Sequence, residues 1–70
     1  MSSQHDLAVG MLEGYIARVI DPECSAVAVK ASANTAILIF RTLGVISIAE
    51  DLHYTERLHR IYERRQGQQA

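Results

Sequence analysis

A chain of 70 residues has room for one domain only. Its formal net charge of −1 and pI near 6.2 exclude a generally basic nucleic-acid binder, and its single cysteine excludes an internal disulfide. Area scaling gives such a chain a folded surface of roughly 4,400 Å² against about 11,000 Å² unfolded. Burying the apolar share supplies about 100 kcal/mol, and ordering the chain costs about as much. With neither a disulfide nor a metal-ligand cluster to tip that balance, oligomerisation is the expected route to stability.

The N-terminus, Met1 to Asp6, lacks the basic segment and apolar run of a signal peptide. The apolar middle of the chain is broken by Lys30 and Arg41 into uncharged runs of 10 residues (Ala31 to Phe40) and 8 residues (Thr42 to Ala49). A membrane span needs about 20. The chain is therefore expected to be soluble, cytoplasmic and without a membrane partner.

Asp6 to Ile20 reads as a first helix, because Ala8, Leu12, Tyr15, Ile16 and Val19 make one apolar stripe. Gly10 and Gly14 weaken it by about 1 kcal/mol each, and their spacing of four suits close approach by a neighbouring helix. Asp21-Pro22-Glu23 ends this helix and is expected to start a second at Pro22, capped by the Asp21 carboxylate. Cys24 then falls in a helical first turn, where a thiol gains reactivity. No histidine or second cysteine stands near it in sequence, so it reads as a packed side chain.

From Pro22 to Leu43, positions Ala26, Val29, Ala33, Ala36, Phe40 and Leu43 repeat at three and four, a heptad-like seam of mostly small residues. Ile37 and Leu38 lie off it and are also apolar, so the helix is wetted only along Lys30, Asn34 and Arg41. Gly44 is the expected stop. Ser47-Ile48-Ala49-Glu50 matches a capping box, with Ile46 as the staple residue. A last helix should run from Ile48 to about Arg65. Ile48, Leu52, Thr55, Leu58, Ile61 and Tyr62 are expected inward, and Glu56 and Arg60 form an i,i+4 pair. Residues 1–5 and 66–70 read as polar tails. A second pattern competes: Val27/Val29 and Ile37/Ile39 alternate, which suits a helix, three short strands and a helix.

Glu50-x-x-His53 and Glu56-x-x-His59 have the spacing of carboxylate-bridged metal sites. They lie about 240° apart round a helix, so one chain cannot join them, and a solvated face accounts for them. His5 reads as an exposed terminal residue. No phosphate loop, paired catalytic carboxylates or nucleophile elbow is present, so neither an enzyme nor a cofactor is expected.

Residues 48–67 carry Ala49, Tyr54, Thr55, Leu58, Arg60, Tyr62, Arg64, Arg65 and Gly67 in an order that loosely resembles one helix-turn-helix half of AraC-type regulators. In that family an Ile-Ala run leads to a Gly-Tyr-Ser turn, and the next helix carries Leu-x-Arg-x-Phe and basic residues. The resemblance implies a turn near His53–Tyr54 and duplex contacts by the helix that follows. Here His53 stands in place of the turn glycine, and the Tyr54–Leu58 spacing is at least one residue short.

The expectation is an all-α chain of two to three helices whose core is completed by homodimerisation through Val29, Ala33, Ala36, Ile37, Phe40 and Leu43. Its function would be regulation by binding another macromolecule, in the first place a protein. Exposed apolar side chains near the helix ends, or Arg57, Arg60, Arg64 and Arg65, would make that contact. The alternative is a DNA-binding regulator using residues 48–65.

Overall fold

The computed structural model describes residues 3–68 and places three α-helices there: α1 (Gln4–Val19), α2 (Ala26–Thr42) and α3 (Ile48–Gln68). Among the described residues there is no strand, so the helix–strand–helix pattern is excluded. Local physics explains each boundary. Ser3 caps α1 by accepting the Asp6 N–H at 3.0 Å, so the helix begins at Gln4, two residues before the expected start. Of the expected tails, Gln4, His5 and residues 66–68 are helical instead.

The α1–α2 connection is longer than the Asp-Pro-Glu signal suggests. Asp21 does accept the Glu23 N–H at 2.9 Å, but the Cys24 N–H closes a turn onto the Asp21 carbonyl at 3.1 Å. The helix restarts at a second cap, Ser25, whose hydroxyl accepts the Ala28 N–H at 3.2 Å. Asp21 thus caps a single turn, and Cys24 lies in that turn rather than in the helix.

At the other end of α2 the expected stop holds. Gly44 adopts φ +74°, the Val45 N–H reaches back to the Phe40 carbonyl at 2.8 Å, and the Gly44 N–H to that of Arg41 at 3.0 Å. This is a Schellman closure, with Val45 and Phe40 both packed against the core. Replacing Gly44 by alanine puts a side chain into left-handed backbone and is expected to cost about 1–2 kcal/mol in chemical denaturation. The capping box of α3 is also formed. Ser47 Oγ accepts the Glu50 N–H at 3.1 Å, and Glu50 Oε1 accepts the Ser47 N–H at 2.9 Å.

The three helices share one apolar cluster. α1 contributes Ala8, Leu12, Ile16 and Val19, as its stripe foretold, with Tyr15 half-buried beside them. α2 contributes Ala33, Ala36 and Ile37, the two alanines letting the neighbouring helices approach. Ile46 plugs the α2–α3 end; the staple position on α3 is the polar Asp51, so Ile46 packs into the core instead.

α3 departs from its expected facing. Tyr54 and Leu58 are buried, with Ile61 and Tyr62 packed beside them, whereas Ile48, Leu52 and Thr55 are exposed. The helix carries two apolar stripes, one through 48 and 52 and the other through 54, 58 and 61, and only one can meet α1 and α2. Cross-helix pairs are satisfied in that orientation: Arg41 meets Asp51 at 2.7 Å, and Arg57 meets Glu13 at 2.6 Å. The molecule is elongated, 40 × 22 × 14 Å, with a radius of gyration of 12.3 Å against about 11 Å for a globular chain of this length.

Candidate interaction surface

Most of the apolar seam of α2 is used inside the chain. Ala33, Ala36 and Ile37 are buried, and Val29 and Phe40 pack half-buried against them. Of the six residues expected at a dimer interface, Leu43 alone is largely exposed. The apolar excess is real, but it lies on other faces.

One such face is the groove between α1 and α2. Leu7 and Met11 of α1 line it, with Ile39, Phe40 and Leu43 of α2 opposite and Tyr15 continuing the wall. Leu7, Met11, Ile39 and Leu43 are each about half exposed or more. The sequence signal for this face is the i,i+4 pair Leu7/Met11, which lies off the buried stripe and beside Gly10 and Gly14. No atom of a neighbouring element lies within 4 Å of a Cβ built on either glycine, so no helix of the chain uses the notch they make. Leu38 on α2 and Ile48 and Leu52 on α3 make a second exposed set.

The arginines of α3 divide into two pairs. Arg57 is bound to Glu13, and Arg65 donates to the carbonyls of Val19 at 2.6 Å and Cys24 at 2.9 Å. Arg65 thus satisfies the C-terminus of α1 and the turn after it with one cation, a contact favoured by the helix dipole. Arg60 and Arg64 are exposed. The Glu56–Arg60 ion pair is not formed; His59 and Glu63 approach to 4.0 Å instead. α3 runs unbroken through His53 and Tyr54, so the two-helix unit implied by the AraC-type resemblance is absent. The basic face keeps only half its expected charge.

The histidines do not gather. Among the described residues no group of three or more metal-ligating side chains occurs. His53 stands edge-on to Tyr54 with ring centroids 5.0 Å apart, and burial pushes the Tyr54 hydroxyl upward in pKa. His5 is exposed as expected, and it also ties α1 to α3 through Glu50 at 2.5 Å. The bond to the Glu50 carboxylate, and then its charge, raise the His5 pKa above 6.5. The Ser47 N–H first, and the His5 ring second, lower that of Glu50 below 4.5.

The pH dependence follows from both signs. The His5 contribution is complete below about pH 6.5 and is lost as pH rises through its folded value. The Glu50 contribution is complete above about pH 4.5 and is lost as pH falls through its lowered value. Thermal melts should therefore place this tie's full effect between pH 4.5 and 6.5. In His5→Gln the loss on the alkaline side should disappear.

No helix of the described residues is long and apolar enough to cross a membrane. Compared with known proteins, the chain matches no family model, no curated protein and no solved structure.

Proposed function

We propose that this chain is a non-enzymatic homodimeric regulator that acts by binding another protein. The observation that carries the reading is the number of large apolar side chains left on the surface of so small a chain: Leu7, Met11, Leu38, Leu43, Ile48 and Leu52 among them. Monomeric proteins rarely leave contiguous apolar faces uncovered, and such faces mark interaction sites. Two separate sets favour two contacts: the α1–α2 groove for a second copy, and Leu38, Ile48 and Leu52 for the regulated protein.

Light scattering at micromolar concentration should return twice the chain mass. Tagged protein should retain a specific host protein, and Leu38→Asp/Leu52→Asp should lose it while remaining helical and dimeric. A mass of one chain would remove the dimer half of the reading. A salt-sensitive shift of duplex DNA, with no protein retained, would replace the partner half with nucleic acid.

A further inference from the structure

We propose that the second copy docks on the α1–α2 groove with the two α1 helices antiparallel about a two-fold axis between Gly10 and Gly14. The inference rests on the homodimer reading above and specifies its interface.

A helix surface is a set of i,i+4 ridges and the grooves between them, and helices pack ridge into groove. On the exposed side of α1, Leu7, Met11 and Tyr15 form one such ridge. Beside it run Asp6, Gly10, Gly14 and Arg18, where the absent side chains at 10 and 14 make a groove bounded by one acid and one base. The open space over both glycines leaves that groove empty within the chain. One helix therefore carries both the knob and the hole. A two-fold contact requires this self-complementarity, since each patch must meet its own image.

The charges select the direction. Asp6 and Arg18 lie six residues, about 9 Å, on either side of the midpoint between the glycines. Antiparallel pairing sets Gly10 against Gly14 and Asp6 against Arg18 of the second copy, twice by symmetry. Parallel pairing would set like charges together. Among the described residues Arg18 has no ion-pair partner and lies 6.0 Å from the Tyr15 ring, and Asp6 has only His5 at 3.8 Å.

The area is in proportion. Leu7, Met11, Ile39 and Leu43 are 59%, 51%, 49% and 71% exposed. At about 200 Å² for a large side chain they present about 450 Å², over half of the ~800 Å² that each partner gives to a standard interface. Tyr15, Asp6 and Arg18 extend the rim.

The test is a charge exchange read by sedimentation equilibrium and native mass spectrometry, with helicity followed by circular dichroism. Asp6→Arg and Arg18→Asp should each weaken the homodimer about tenfold, because both ends of the contact become repulsive. An equimolar mixture of the two should recover wild-type affinity as the mixed dimer, in which both pairs attract. Gly10→Leu/Gly14→Leu gives an independent reading. Filling the groove should weaken the dimer while strengthening the α1 helix, an opposition that a general loss of folding would not produce. If the variants dimerise like wild type, or the mixture recovers nothing, the dimer uses another face and this inference is overturned. If the wild-type chain is itself monomeric, the homodimer reading fails and this inference fails with it.

Discussion

Leu58→Ala is expected to cost about 3 kcal/mol, whereas Leu52→Ala, on the other apolar stripe of the same helix, should cost less than about 0.5 kcal/mol. Leu58 is 1% exposed and sits where α3 meets α1 and α2; Leu52 is 65% exposed. Truncating a fully buried leucine forfeits its transfer energy and leaves a cavity that neighbours fill only in part. A chain of this size has about 4–10 kcal/mol of stability in all, so the Leu58 loss takes a large share of it. The melting temperature should fall by roughly 12–24 °C, while that of Leu52→Ala stays near wild type. A reversed order, with Leu52→Ala the costlier change, would mean that α3 is turned to present its other stripe.

Arg65→Ala is expected to cost about 2–3 kcal/mol by urea denaturation, and Arg64→Ala nothing measurable. The Arg65 guanidinium donates from two nitrogens to the carbonyls of Val19 and Cys24 in a partly buried position. Removing it leaves both acceptors and the negative end of α1 without their partner. Arg65→Lys should recover only part of the loss, since an ammonium lacks the planar fork that reaches two carbonyls at once. Amide exchange across residues 19–25 should accelerate in the alanine variant, because that turn is held to α3 by this side chain. Arg64, one residue along and exposed, remains available to a partner.

These two predictions also mark where sequence reasoning stops. Arg57 and Arg65 have the same local appearance as Arg60 and Arg64: arginines late in an amphipathic helix. What separates them lies 44 and 46 residues away, at Glu13 and at the Val19 carbonyl. The groove on α1 was half legible. Gly10 and Gly14 pointed to close approach, and Leu7 and Met11 lie beside them. Their emptiness required knowing that no side chain or backbone of α2 or α3 comes within 4 Å of a Cβ at either glycine. The helix-turn-helix resemblance fails for a related reason: nothing between His53 and Thr55 breaks a helix, and the interactions along α3 hold it continuous.

By itself the sequence determined the features that depend on residues three or four apart. These are the buried stripe of α1, the capping box at Ser47 and the left-handed stop at Gly44. Each is settled by backbone hydrogen bonds and side-chain spacing within one or two turns. Tertiary structure alone decided which stripe of α3 is buried, that the α2 seam closes the chain's own core, and which arginines are spent on carbonyls and carboxylates. The physical reason is competition. α3 carries more apolar side chains than one face can bury, and its burial is chosen by the shape and charge of helices more than 40 residues distant in the chain.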